Sequence, residues 1–266
     1  MIQKRIIFTL IYQDGFFCHS RNFRLQKVGD INWLMKNYDF AKITYAIDEL
    51  IILNTSKKAN SFRDFCNVLD ELSKGVFVPI ASGGRIRDLN NVHDLFQSGA
   101  DKIILNNLLF HDANLVRVIS DKFGKQSIIG SLDFTKGIND KYICKICDGS
   151  VVVDEKRLKR FHNETLRYLG EGYITSIDRD GTGQGYDFTL LEFFPWLKEL
   201  PIIYAGGVGR TEHLMEGLLQ PNIHGVATAN LFNFVGDGFI NARKSLVDKK
   251  LIFPWSNVDD VFLTHD

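Results

Sequence analysis

The stretch from Tyr173 to Asp187, YITSIDRDGTGQGYD, carries groups that could bind an anion. A run of residues suited to a buried strand passes directly into three acids, an arginine and three glycines. A plain turn needs one glycine and one aspartate, whereas a loop that wraps an anion needs several free backbone N–H groups and polar side chains. This composition therefore favours an anion-binding loop at the end of a strand.

Two glycine pairs elsewhere in the chain could do similar chemistry. Gly83-Gly84 follows the apolar run VFVPIAS, and Gly206-Gly207 follows LPIIYA. Glycine lets a backbone N–H approach a phosphate oxygen closely, although each pair could also be only a turn. Both pairs are candidate phosphate cradles.

An acid at the end of another apolar run could move protons. Asp133 closes the run QSIIGSLD, and a carboxylate at a strand end is a natural general acid or base. A helix N-cap or a loop ion pair is the structural alternative.

The elements that must position these residues follow an alternating pattern. Apolar runs alternate with amphipathic helical stretches such as INWLMKNYDFAKI, DLNNVHDLFQSGA and TEHLMEGLLQ, which predicts an α/β fold with a parallel sheet covered by helices. Eight strands in about 250 residues is the count of a closed (β/α)8 barrel. A doubly wound sheet is the alternative, but no G-x-G-x-x-G follows the first strand. The predicted strands are RIIFTLI, DELIILN, VFVPIAS, DKIILNN, QSIIGSLD, GYITSID, LPIIYA and HGVATAN.

An internal duplication supports the barrel. Gly83 and Gly206 are separated by 123 residues within similar segments, as are Asn107 and Asn230, and IIFTLIYQDG resembles IIGSLDFTKG at an offset of 122. The duplication predicts two four-strand half-barrels without a linker. We therefore expect one domain over residues 1–266, with a tail from about residue 250.

In such a barrel the active site lies at the carboxyl ends of the strands. The opening loop, the glycine pairs and Asp133 would then meet at one mouth, where two cradles predict a long substrate with a phosphate at each end. Residues that would complete the cradles are Asn106 and Asn107 beside Gly83-Gly84, and Asp180, Gly181, Ala229 and Asn230 beside Gly206-Gly207.

Composition argues against several other classes. Lys plus Arg equals Asp plus Glu at 32 each, so no basic field points to nucleic acid or to an acidic membrane. No apolar run approaches the roughly 18 residues of a membrane span. The segment MIQKRIIFTLIYQDG lacks a small-residue cleavage site, so the cytoplasm is expected.

The cysteine pair in KYICKICDGSVVVD could be a metal or redox motif. Cys144 and Cys147 form a lone C-x-x-C, and no second ligand pair at a suitable spacing accompanies it. Alternating residues on both sides instead predict a β-hairpin that turns at Asp148-Gly149.

Together these features resemble the cyclase subunit of imidazole glycerol phosphate synthase (HisF-like), the barrel half of a glutamine amidotransferase in histidine biosynthesis. The resemblance runs from Lys4 to about Phe234. TSIDRDGTGQGYD departs from the family pattern T-S-I-D-R-D-G-T-x-x-G-Y-D only at its free positions. Other matching motifs are DG at Asp14-Gly15, NF at Asn22-Phe23, ADK at Ala100-Lys102 and AGG at Ala205-Gly207.

The resemblance implies a (β/α)8 barrel with two phosphate sites, no cofactor or metal, and a glutaminase subunit that delivers ammonia at the N-terminal face. Asp133 matches the catalytic aspartate of strand five, and Thr175 matches the threonine beside the substrate. Positions that match phosphate-binding residues are Gly83, Asn106, Asp180, Gly181, Gly206, Ala229 and Asn230, the last in place of a serine.

Four charged residues match the ring through which ammonia enters barrels of this family. A salt-bridge layer that stabilises the barrel bottom is the alternative for them. These residues are Arg5, Glu49, Lys102 and Glu171.

The differences from the family pattern fall mainly at positions that the resemblance assigns to catalysis and ligand binding. Ile11 replaces the catalytic aspartate of the first strand, His19 a substrate-contacting lysine, Asn54 an aspartate, and Arg85 the third glycine of G-G-G. SVVVDEK replaces the T-G signature after strand five. An isoleucine cannot transfer a proton, so the ordinary cyclase reaction is in doubt.

This pattern resembles divergent paralogues that work with a glutaminase and a third amidotransferase protein to amidinate surface-polysaccharide sugars. Two alternatives stay open. One is a genuine cyclase that forms imidazole glycerol phosphate and AICAR, with His19 or Asp14 supplying the missing proton. The other is a non-catalytic phosphosugar-binding barrel.

Overall fold

A computed structural model describes residues 4–38, 40–58, 61–229 and 238–248. Asn230 and the tail from about residue 250 lie outside the described residues. The strands are β1 (Arg5–Gln13), β2 (Phe16–Arg21), β3 (Arg24–Gly29), β4 (Glu49–Asn54), β5 (Ile80–Gly83), β6 (Lys102–Leu105), β7 (Ile128–Lys136), β8 (Tyr142–Ile146), β9 (Val151–Val152), β10 (Glu171–Ser176), β11 (Ile202–Ala205) and β12 (Ile223–Thr228).

Helices cover the strands on the outside. The α-helices are α1 (Ile31–Asn37), α2 (Phe40–Ala46), α3 (Ser61–Ser73), α4 (Leu89–Gln97), α5 (Leu108–His111), α6 (Ala113–Phe123), α7 (Glu155–Arg160), α8 (Thr189–Phe193), α9 (Thr211–Leu218) and α10 (Gly238–Asp248). Short 3₁₀ turns are Lys125–Ser127, Ile138–Asp140, Leu166–Tyr168 and Pro195–Glu199, and Phe161–Thr165 forms a π turn.

The eight predicted strands form a closed parallel barrel, which confirms the (β/α)8 prediction. Their order around the barrel is β1, β4, β5, β6, β7, β10, β11 and β12, and β12 pairs with β1. Closure lets every second strand residue face a shared interior. On β1, for example, Ile7 belongs to the interior cluster, while Ile6 and Phe8 belong to the outer core.

Two antiparallel hairpins extend the barrel at equivalent places in its two halves. The β2–β3 hairpin continues from β1 through a turn at Asp14-Gly15, where both residues have positive φ, as a tight hairpin turn requires. The β8–β9 hairpin continues from β7 and turns over residues 147–150, so the hairpin predicted at Asp148-Gly149 is confirmed. The β2–β3 hairpin was absent from the predicted elements.

The stretch INWLMKNYDFAKI, expected to be helical throughout, is interrupted. The first helix, α1, ends at Asn37 and α2 begins at Phe40. Tyr38 between them is extended, and its ring packs against Phe8 and Trp33. Aromatic packing onto the barrel therefore overrides the helical periodicity here.

A buried ion pair fixes the last described helix to the barrel. The Arg243 guanidinium lies 2.7 Å from the Asp48 carboxylate, and both side chains are only 1% exposed. The same carboxylate accepts a hydrogen bond from the backbone N–H of Ile6 at 2.8 Å. Removing one partner of such a pair leaves an uncompensated buried charge.

We therefore expect Arg243→Met to lower the free energy of unfolding by about 3–5 kcal/mol. Arg117→Met is the control, because Arg117 pairs with Asp121 on the exposed face of α6 and should cost about 0.5 kcal/mol or less. Urea unfolding followed by circular dichroism measures both. Equal losses in the two variants would contradict the stabilising role of the buried pair.

Candidate functional site

A cavity of about 480 Å³ opens at the carboxyl ends of the barrel strands. It brings most predicted site residues together, whereas Gly83 is not among its lining residues. The predicted site residues that line it are Gly84, Asn106, Asn107, Asp133, Thr175, Asp180, Gly181, Gly206, Gly207 and Ala229.

Asp133 lies on β7 inside this cavity and is only 7% exposed. Burial raises its pKa from 3.8 to about 7, and the nearby Asp148 and Asp180 carboxylates add to this effect. A carboxyl group with a pKa near neutrality can both give and take a proton. Asp133 sits within the strand, opposite Lys145, so it is not a helix N-cap.

Asn106 holds the Asp133 carboxylate in place. Its side-chain Nδ2 donates to an Asp133 oxygen at 3.0 Å and to the Ser131 carbonyl, also at 3.0 Å. The amide group of this predicted phosphate-binding residue is therefore engaged with β7 in this structure.

Hydroxyl groups form the floor of the cavity. The Thr9 hydroxyl lies 3.4 Å from the Tyr173 hydroxyl, and Thr175 faces the cavity one layer above Tyr173. Burial raises the pKa of Tyr173, while the hydrogen bond with Thr9 opposes this effect. The floor thus offers neutral donors and acceptors beneath Asp133.

The second glycine of each pair has the same type of backbone geometry. Gly84 and Gly207, at φ +98° and +107°, lie in the region that favours glycine. A Cβ at Gly84 would lie 2.1 Å from the Asn54 carbonyl oxygen, and one at Gly207 would lie 2.1 Å from that of Gly185. Close backbone packing is sufficient to require glycine at both positions, so these contacts alone do not establish an anion site.

Asp180 has a positioning role that the sequence did not reveal. Its carboxylate accepts hydrogen bonds from the Ser20 hydroxyl and, at 3.1 Å, from the backbone N–H of Phe23. Asn22 adds side-chain bonds to the carbonyls of residues 177 and 178. The loop after β10 therefore anchors the β2–β3 hairpin beside the mouth.

The four single-residue departures from the family pattern line this cavity, whereas the SVVVDEK segment does not. Burial lowers the pKa of His19, which lies on the β2–β3 hairpin. Changes that cluster on one cavity surface alter what it can bind or protonate. These residues are Ile11, His19, Asn54 and Arg85.

The four predicted ring residues meet at the opposite end of the barrel. Arg5 pairs with Glu49 and Glu171, and Lys102 lies 3.2 Å from Glu49 and 2.8 Å from Glu171. Each carboxylate thus touches both cations. Glu49 is 2% exposed, and burial raises its pKa although both cations act to lower it. Burial also acts to raise the pKa of Glu171, but the interactions with Arg5 and Lys102 outweigh it and hold that pKa below its ordinary value.

An apolar layer separates this charged ring from the cavity. The layer lies in the barrel interior between the two ends. Its residues are Ile7, Ile51, Ala81, Ile129 and Ile203.

The described residues contain no group of three or more His, Cys, Asp or Glu side chains placed to hold a metal ion. None of the helices described has the length and apolar composition that a membrane crossing requires.

Comparison with known proteins agrees with the barrel and its motifs. A family model described as histidine biosynthesis protein matches residues 22–236. A provisionally named imidazole glycerol phosphate synthase subunit hisF2 of Parasynechococcus marenigrum is 42% identical over 250 residues, covering 92% of this chain and 90% of the relative. Imidazole glycerol phosphate synthase subunit HisF of Chlorobaculum parvum is 32% identical, covering 94% and 98%.

The raised pKa of Asp133 predicts the direction in which the unfolding free energy changes with pH. Because the folded-state pKa of about 7 exceeds the ordinary 3.8, the protonated group stabilises the fold at low pH, and this contribution is lost as pH rises from about 4 to about 7. The unfolding free energy of Asp133→Asn should therefore equal that of the wild type near pH 4. Above pH 7 it should be higher than that of the wild type by up to about 4 kcal/mol.

Carboxyl ¹³C NMR of Asp133 measures the same pKa directly. A titration midpoint near 4, with no pH trend between the two proteins, would contradict this assignment.

Proposed function

Because this chain belongs to the HisF-like cyclase-subunit family of imidazole glycerol phosphate synthase, we propose that it binds a bis-phosphate-type ligand at its mouth and receives ammonia from a glutaminase. The observation that carries the proposal is the closed four-charge ring at one end of a barrel whose other end retains Asp133 in a cavity.

The positions of the two cradles support a ligand with two phosphates. In the closed barrel, β5 and β11 are four strands apart, so Gly84 and Gly207 lie on opposite sides of the mouth. A ligand that reaches both must cross the cavity above Asp133. Asp133 and Thr175 are therefore the residues we assign to the reacting part of the ligand.

We propose that the chemistry has diverged from the histidine-pathway cyclisation. Ile11 occupies the position of a second proton-transfer group and faces the cavity. On this proposal the ammonia serves sugar amidation in surface-polysaccharide biosynthesis, with a third amidotransferase protein. Support comes from the replacements at Ile11, His19 and Arg85, which line the cavity.

A genuine cyclase is the second candidate. Its support is the pKa of Asp133 near neutrality and the presence of His19 at the cavity, where an imidazole could replace the missing acid. A phosphosugar-binding barrel without catalysis would need neither group.

The N-terminal end of the barrel has features suited to a protein partner. Phe77, in the loop that leads into β5, is 81% exposed, and Leu219, before β12, is also exposed. Lys102 and Pro79 line a second hollow at this end. Exposed apolar groups beside the charged ring support docking of a glutaminase there.

We expect this chain and its glutaminase to form a 1:1 complex. Lys102→Glu places three carboxylates around Arg5, so glutamine-dependent product should fall by at least about tenfold while ammonia from glutamine escapes to solution. Arg117→Glu on the outside of α6 is the matched control and should leave coupling intact.

The readouts are analytical ultracentrifugation, product formation and free ammonia. Lys102→Met checks that the effect is not misfolding. A complex that never forms with a folded, correctly identified partner would leave only the structural role of the ring.

We also expect no rescue of a histidine auxotroph that lacks its cyclase subunit, even with abundant ammonium. Ile11 cannot transfer a proton, so ammonia supply is not the defect. Ile11→Asp alone should restore little, since His19 and Arg85 remain at the cavity. An authentic cyclase subunit is the positive control, and growth equal to that control would favour the second candidate.

A further inference from the structure

Arg85 has an unusual backbone at the edge of the mouth. It follows Gly84 and has φ +63°, in the left-handed region that a residue with a Cβ seldom adopts. Such strain persists only where the surroundings hold it, and it is common at ligand sites. The side chain of Arg85 shows what holds it.

The guanidinium of Arg85 bridges two loops. Its Nε donates to the Ser56 carbonyl at 2.7 Å, and Nη2 donates to the Thr55 carbonyl at 2.8 Å. Nη2 also pairs at 2.7 Å with the carboxylate of Asp148, in the turn of the β8–β9 hairpin. This ion pair is partly open to solvent and lines the cavity, so an anion there can compete for the guanidinium.

Asn54, which immediately precedes Thr55 and Ser56, also lines this cavity. Its Oδ1 accepts a hydrogen bond from the backbone N–H of Ser56 at 3.0 Å, which fixes the orientation of the amide. Its Nδ2 is buried and has no hydrogen-bond partner among the described residues, and the residue is 2% exposed. A buried donor without a partner is costly, which favours an oxygen from a ligand at this point.

We propose that Asn54 and Arg85 form one corner of the mouth that binds an anionic oxygen group of the ligand, a phosphate or a carboxylate. Arg85 exchanges the Asp148 carboxylate for that group, and the Asn54 amide donates to it. Lys57 adds positive charge to the same sector of the cavity wall. This inference rests on the proposed ligand at the mouth and assigns recognition of one end to two side chains, in addition to backbone amides.

Titration of ¹⁵N-labelled full-length protein with inorganic phosphate, and separately with acetate, tests the corner. Amide shifts of Gly84 and Arg85 report the corner, while those of Gly206 and Gly207 report the opposite cradle independently. We expect saturable shifts at Gly84 and Arg85 with at least one probe. The probe that binds more tightly identifies whether the corner binds a phosphate or a carboxylate. No shift at any of the four residues would overturn both this inference and the proposed function.

Two isosteric variants separate the inference from the proposed function. Asp148→Asn removes the competing charge and should tighten the probe at the corner by about two- to fivefold, the range that a solvent-exposed ion pair supports. Asn54→Asp keeps the acceptor for Ser56 but replaces the donor with a negative charge, and should weaken the probe by about tenfold or more. Both variants should leave the shifts at Gly206 and Gly207 unchanged.

Shifts at Gly206 and Gly207 alone, or a corner affinity that neither variant changes, would overturn the inference while leaving the proposed function in place. Arg85→Lys provides a further measurement in a protein that keeps its positive charge. Because lysine cannot hold two carbonyls and an anion in one planar fork, we expect corner binding to weaken. Unchanged binding in this variant would overturn the role of the guanidinium.

Discussion

The inward alternation of side chains along closed barrel strands is the constraint on which the rest of the structure depends. Every second residue of a strand faces the interior, and eight strands share it, so residues at one height form a layer. Along β1, Arg5 lies in the charged ring, Ile7 in the apolar layer, Thr9 at the cavity floor and Ile11 at the mouth. A single strand thus contributes to both ends of the molecule and to the barrier between them.

The surroundings of the buried charged groups differ between the two ends of the barrel, which the apolar layer separates. In the ring, both carboxylates contact Arg5 and Lys102, so buried charges are compensated by neighbours. At the mouth, Asp133 has an amide donor from Asn106 but no ion-pair partner among the described residues, and burial holds its pKa near neutrality. The ring therefore consists of paired charges, whereas the mouth contains an acid that can exchange a proton.

Features set by local sequence were predictable, and contacts between distant segments were not. Apolar runs with regular spacing identified all eight barrel strands, and equivalent glycines revealed the duplication. Two contacts join residues that are far apart in the chain: the hydrogen bond from Ser20 to Asp180 and the ion pair between Arg85 and Asp148. No local sequence pattern predicts them. Tyr38 interrupts a helix because its ring packs on Phe8, which periodicity cannot show.

We propose that this barrel receives ammonia at the end that carries the charged ring. Hydrogen exchange of the chain with and without its glutaminase tests it most directly. We expect added protection in the loops before β5 and β12, around Phe77 and Leu219, with the β2–β3 and β8–β9 hairpins unchanged. Protection confined to those hairpins at the mouth, with none around Phe77, would contradict it.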